Sequence, residues 1–84
     1  MSPDELTDGA RVRRRFKPEE TGVVVGWRVN GVAEGYTIEH IGHLGDDGAD
    51  RVVVRLEPPV PDGKGGHTIR CGSSLAEWEL CPSG

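Results

Sequence analysis

Thr21-Gly22-Val23-Val24-Val25-Gly26-Trp27 decides the fold of this chain, together with Ala10-Arg11-Val12-Arg13-Arg14-Arg15-Phe16 just ahead of it. The two glycines bracket β-branched residues, which suit a pleated, half-buried surface. Gly26 inside the run predicts a bulge or sharp bend, the device by which a small sheet turns a corner. Strict alternation points Val23, Val25, Trp27 and Val29 inward, and Val24, Gly26 and Arg28 outward. In the earlier stretch Val12, Arg14 and Phe16 share the inward face, with Arg14 near the mouth, while Arg11, Arg13 and Arg15 project outward. Lys17-Pro18-Glu19-Glu20-Thr21-Gly22 has turn chemistry, because proline presets φ and glycine permits a left-handed exit. The reading is two strands joined by a charged turn, the opening of a small bent β-barrel.

Outward from this unit, Asn30-Gly31 is the strongest hairpin signal in the chain. In Val32 to Leu44, Tyr36, Ile38 and His40 alternate with Thr37, Glu39 and Ile41, a pattern that favours a strand over a helix. Arg51-Val52-Val53-Val54-Arg55-Leu56 reads as a strand with Val52, Val54 and Leu56 inward, stopped by Pro58, Pro59 and Pro61. Asp62 to Gly66 is a mobile hairpin tip, and His67 to Cys71 resumes as a strand with Ile69 facing the core. Ser73 to Ala76 resembles one helical or 3-10 turn before a closing strand at Trp78-Glu79-Leu80. Residues 1–9 read as a flexible lead-in, 10–81 as a single small β-barrel domain, and 82–84 as a flexible tail. Five or six short strands separated by turn signals indicate an all-β fold.

Eighty-four residues leave room for one core, and the apolar stock is small: two Trp, one Phe, one Tyr and one Met beside many valines. Thirteen Gly and six Pro speak against a helical protein. No apolar run approaches the roughly 20 residues that span a bilayer, and the acidic N-terminus lacks a signal-peptide pattern, so a cytoplasmic protein is expected. The net charge of −4 argues against nonspecific attraction to nucleic acid or anionic lipid. Yet Arg11, Arg13, Arg14, Arg15 and Lys17, half of the ten basic residues, lie within seven positions.

Three groupings compete for a chemical role. Arg11, Arg13 and Arg15 on one strand face would stand about 7 Å apart, near the spacing of successive phosphates. Balance by glutamates on the next strand is the favoured alternative. His40, His43, Cys71 and Cys81 lack the spacing of a zinc site, so idle histidines and buried thiols are expected, and no metal or cofactor is assigned. Gly63-Lys64-Gly65-Gly66 lacks the Walker spacing, and no nucleophile elbow occurs, so no catalytic residue is assigned. Trp27 and Trp78 are both needed in a small core, with Trp27 the better candidate for a groove because Gly26 twists its strand.

The order of these pieces resembles the Src-homology-3-like small β-barrels, in particular their KOW and Tudor-like branches. Asp8-Gly9-Ala10-Arg11-Val12 is similar to the opening strand of that family, and Thr21-Gly22-Val23-Val24 to the strand after its first loop. The turn at Ser73 to Ala76 is similar to the short turn ahead of the family's last strand. Where KOW modules carry a glycine-rich, lysine-containing loop, this chain has Lys17-Pro18-Glu19-Glu20, and no Tudor-style aromatic cage is legible. The resemblance implies a five- or six-stranded barrel with a 3-10 turn before its last strand, serving as a non-catalytic interaction module for another protein. A KOW-like RNA- or DNA-associated module using the Arg11–Lys17 edge is the alternative. The expected contact residues are Arg11, Arg13, Arg15, Lys17, Arg28 and Trp27.

Overall fold

A computed structural model describes residues 1–35, 41–45 and 47–82. The fold is all-β: among the described residues six antiparallel strands, β1 (Arg11–Arg14), β2 (Lys17–Val29), β3 (Val32–Glu34), β4 (Arg51–Pro61), β5 (His67–Ser73) and β6 (Trp78–Leu80), form one sheet in the order β5-β4-β2-β1-β6, with β3 pairing β2 beside β1. Among the described residues strands β5 and β6 are its two ends, and no pairing closes the sheet between them.

Strand β1 (Arg11–Arg14) turns at Arg15 and Phe16 into β2 (Lys17–Val29), so that Arg14 faces Lys17. The reversal therefore comes earlier than the turn chemistry of Lys17 to Gly22 suggests. The ladder jumps from Arg13↔Thr21 to Arg14↔Lys17. Residues 18–20 are the surplus, which is where a proline without an N–H is tolerated. Phe16, expected inside, stands in the turn with 87% of its surface exposed.

Gly22 lies between Val12 of β1 and Leu56 of β4 (Arg51–Pro61). A Cβ there would run into the Arg55 carbonyl oxygen and Val54 Cγ1, so the strands approach this closely only at a glycine. Beyond it the bulge signalled by Gly26 is present: Val24 faces Val54, Gly26 faces Val53, and Val25 is the extra residue. One inserted residue reverses the alternation. Val24 is thus the fully buried member of the run, Val25 is half-buried, and Trp27 and Val29 reach the core's margin after the bulge. Val23 is buried outside the main cluster, between Arg11 and Arg55 in register.

Asn30 and Gly31 both have positive φ, 53° and 79°, as a tight hairpin turn requires, and they lead into β3 (Val32–Glu34). The alternation expected over Tyr36 to His40 lies outside the described residues. Ile41, expected in a strand, instead begins the single helical turn α1 (Ile41–Leu44). That turn packs on β4 and β5 (His67–Ser73). The His43 carbonyl occupies the place a Cβ on Gly72 would take, so this glycine admits α1 to the sheet. Leu44 and Val53 are buried apart from the main core.

Strand β4 does not stop at its prolines. The β4–β5 ladder breaks after Arg55↔Arg70 and resumes at Val60↔Thr68, so Pro58 and Pro59 sit where pairing is interrupted. Ile69 lies opposite this break, and half of its surface is exposed, contrary to the expected core position. The hairpin tip is held by Asp62, whose Oδ1 accepts hydrogen bonds from the backbone N–H of Lys64 (2.7 Å) and Gly66 (3.2 Å).

The expected turn before the last strand is a 3-10 turn at Leu75–Glu77, followed by β6 (Trp78–Leu80) on β1. Trp78 is fully buried and donates from Nε1 to Ser73 Oγ at 2.6 Å, which satisfies its one polar group. Around it pack Leu6, Val12, Val24, Val52, Val54, Leu56 and Leu75. Leu6 belongs to the segment expected to fray. That segment forms a 3-10 turn at Pro3–Glu5, and Gly9 N–H bonds the Val24 carbonyl at 2.8 Å. Burial of Leu6 in a core short of volume is the physical reason the segment docks. The last two residues of the expected tail lie outside the described residues.

Candidate interaction surface

The arginine-rich strand is locally paired. Arg13 stands opposite Glu79 of β6, with Nη2 at 2.8 Å and Nε at 2.9 Å from the same carboxylate oxygen. Arg11 reaches Glu57 at 3.8 Å, and Lys17 reaches Glu20 at 3.0 Å. Arg15 lies in the turn and not on β1, so the expected ladder of three outward arginines ends at Arg13. Its guanidinium lies 5.8 Å from the Phe16 ring centroid. Cross-strand charge balance is the arrangement found along β1.

Arg14 turns inward, as alternation predicts. Its guanidinium carbon lies 4.5 Å above the Trp78 ring, with Glu20 at 3.2 Å and Glu77 at 3.4 Å. Its Nη2 also donates to the Cys71 thiol at 3.4 Å. Burial works against the Arg14 charge, but Cys71 and Glu20 more than offset it and raise its pKa. Burial likewise pushes the Glu20 carboxyl up. The Lys17 hydrogen bond and the Arg14 charge outweigh that and hold it below the usual carboxylate range. This cluster fastens the β1–β2 hairpin to the 3-10 turn and the core.

Arg28 is committed to the backbone. It donates to the carbonyls of Leu44 (2.8 Å), Gly45 (3.0 Å) and Ala49 (2.8 Å), and to Asp47 at 3.5 Å. It thereby ties the segment between α1 and β4 to β2. Asp47 also receives Arg51 at 3.2 Å and the Ala49 N–H at 3.1 Å. The Ala49 hydrogen bond, then the two arginines, lower its pKa. Trp27 is half-buried against the core's margin. The six expected contact residues are thus dispersed: Arg11 and Arg13 on the outer face of β1, Arg15 and Lys17 around the turn, Arg28 under a loop and Trp27 beside the core.

Cys71 and Cys81 are half-buried free thiols. His40 lies outside the described residues. Among the described residues no three His, Cys, Asp or Glu side chains converge as metal ligands, and no pocket is present. Among the described residues no helix is long and apolar enough to cross a membrane.

The features that sequence reading missed lie at β5. This strand of seven residues pairs with β4 on one side, and no described strand pairs with its other edge. His67, Thr68 and Ile69 are exposed. The register also aligns Arg11, Val23, Arg55 and Arg70 as one row across four strands, on the face opposite the core. Pro58, Pro59 and Pro61 were the available signal, because a proline cluster opposite a strand predicts a broken ladder and a poorly covered neighbour. Comparison with protein-family models, curated proteins and solved structures gave no match.

Proposed function

We propose that this chain is a Src-homology-3-like open barrel and a non-catalytic interaction module of the cytoplasm that binds another protein along a strand edge. The strand order β5-β4-β2-β1-β6, the long second strand shared between β1, β3 and β4, and the 3-10 turn before β6 support the barrel reading. One observation carries the binding reading: the outer edge of β5, which no described strand pairs, with Ile69 half exposed beside it. Edge strands present backbone donors and acceptors to a second chain, and side chains on the two faces supply selectivity.

The alternative, a nucleic-acid module on the Arg11–Lys17 edge, is disfavoured by the carboxylates that accompany Arg11, Arg13, Arg14 and Lys17. Co-purification from the native host should recover a discrete protein from the wild type and much less of it from Ile69→Lys. Titration with RNA and duplex DNA at two salt concentrations tests the alternative. Tight binding that weakens steeply with salt, and that persists in Ile69→Lys, would favour nucleic acid.

A further inference from the structure

The turn between β1 and β2 presents the chain's one phenylalanine, Phe16, to solvent, with 87% of its surface exposed. We infer that this turn is a second protein contact, at which Phe16 enters an apolar pocket of a partner and Arg15 meets a carboxylate on the pocket's rim. The site is separate from the β5 edge and does not depend on it.

A single exposed apolar side chain is ordinary on a protein surface. The anchoring of this turn is what sets Phe16 apart. On one side Arg14 is clasped by the Trp78 ring, Glu20, Glu77 and the Cys71 thiol. On the other side Lys17 meets Glu20. Within the turn the Arg15 N–H donates to the Glu77 carbonyl at 2.9 Å, which ties it to the 3-10 turn before β6. Phe16 is thus held out from a fastened two-residue turn. An aromatic side chain has few rotatable bonds, so little entropy is lost when such a support carries it into a pocket.

Arg15 supplies the polar half of the contact. Arg11, Arg13, Arg14 and Lys17 each pair with a carboxylate. Among the described residues no carboxylate pairs with Arg15, which is exposed. Its guanidinium lies 5.8 Å from the Phe16 ring centroid, near the outer limit of about 6 Å for a cation–π contact. The ring and the charge therefore both remain open to a partner. Aromatic residues and arginine are the side chains that most often dominate the energy of a protein interface.

The charge around the turn selects a protein over a polyanion. Arg14, Arg15 and Lys17 are matched in number by Glu19, Glu20 and Glu77, and the whole chain carries −4. Such a balance offers no positive field to draw in a nucleic acid or an anionic bilayer. One unmatched cation beside one aromatic ring suits an apolar pocket with a carboxylate at its rim. A second copy of this chain does not fit, because among the described residues no pocket is present to receive Phe16.

The test is photo-crosslinking of the full chain in its native host, with p-azidophenylalanine in place of Phe16, a small change at an exposed position. The label there should give a protein adduct at least tenfold above that from the same label at Val32, which is 57% exposed on β3. The crosslinked peptide of the partner should carry apolar residues and an Asp or Glu. Arg15→Glu should lower the adduct by tenfold or more without moving the melting temperature. Ile69→Lys should leave the adduct in place.

An adduct no stronger than that from Val32, or one insensitive to Arg15→Glu, overturns the inference. So does an adduct to nucleic acid, to lipid or to a second copy of this chain, and so does a partner peptide without an acidic residue. Loss of the adduct in Ile69→Lys overturns it too, because the two sites would then be one. If Arg15→Glu fails to fold, Arg15→Gln, which removes the charge without introducing another, decides by the same readout. Failure at position 16 leaves the β5 reading standing, since co-purification with Ile69→Lys tests that reading separately.

Discussion

The β1–β2 hairpin and the β4–β5 hairpin invert their apparent roles. The first carries the densest positive charge in the chain, yet most of that charge meets carboxylates within the fold: Arg13 with Glu79, Arg14 with Glu20 and Glu77, and Lys17 with Glu20. The second reads as plain barrel wall, yet its ladder breaks at the prolines, Ile69 is left exposed, and one edge of β5 has no described partner. Charge density along the sequence therefore says little about what is offered to a ligand. What matters is whether the neighbouring strand supplies the counter-charge.

The comparison can be tested from its largest consequence downward. Trp78→Ala should remove the anchor beneath Arg14 and cost about 3–5 kcal/mol, enough to unfold a domain this small. Urea denaturation should show loss of the cooperative transition. A Trp78→Ala protein of near-native stability would mean that the first hairpin is not held by the core.

Gly22→Ala tests the seam between the two hairpins, where a Cβ meets the Arg55 carbonyl. It should cost about 1–3 kcal/mol through overpacking, a fall in melting temperature of several degrees.

Glu20→Gln should have a smaller effect with a pH signature. The Glu20 carboxyl is held below its usual range, so its contribution is fully present above the unfolded-state pKa and is lost as pH falls through the lower folded value. With 12% of the Glu20 side chain and 23% of the Arg14 side chain exposed, a cost near neutrality of about 1 kcal/mol is reasonable. The difference between wild type and variant should shrink below about pH 4. A difference that persists unchanged in acid would show that Glu20 contributes through packing and not charge.

The smallest stability effects belong to exposed positions, and there the two hairpins should part. Arg13→Ala should cost about 0.2–1 kcal/mol and leave partner binding unchanged. Ile69→Lys should leave stability within about 0.5 kcal/mol and abolish partner binding. The reverse outcome, with binding lost in Arg13→Ala and kept in Ile69→Lys, would return the functional role to the arginine strand.

Local chemistry made several elements legible. Asn30-Gly31 adopts the backbone that such a pair favours, Gly26 marks the bulge, and Val52, Val54 and Leu56 line the core as alternation requires. The errors share one cause. Alternation assigns faces only while the ladder is regular, and each hairpin contains an irregularity. The bulge at Val25 exchanged Val24 for Val23 and Val25, the early turn ejected Phe16, and the proline break exposed Ile69. The docking of Leu6 was illegible for another reason, since nothing local distinguishes an isolated leucine that finds a core from one that does not.

By itself the sequence determined that this chain is β-rich, where its tightest hairpin turns and which valines build the central strand. These properties follow from glycine and asparagine backbone preferences and from β-branched packing, which act over a few residues. Only the tertiary structure decided that the arginines of β1 face glutamates, that Arg28 holds a loop, and that no described strand pairs the outer edge of β5. Those outcomes depend on strand order and register, which bring together residues up to 66 positions apart, as Arg13 and Glu79 are. A local pattern carries no information about the charge or cover that such a distant neighbour supplies.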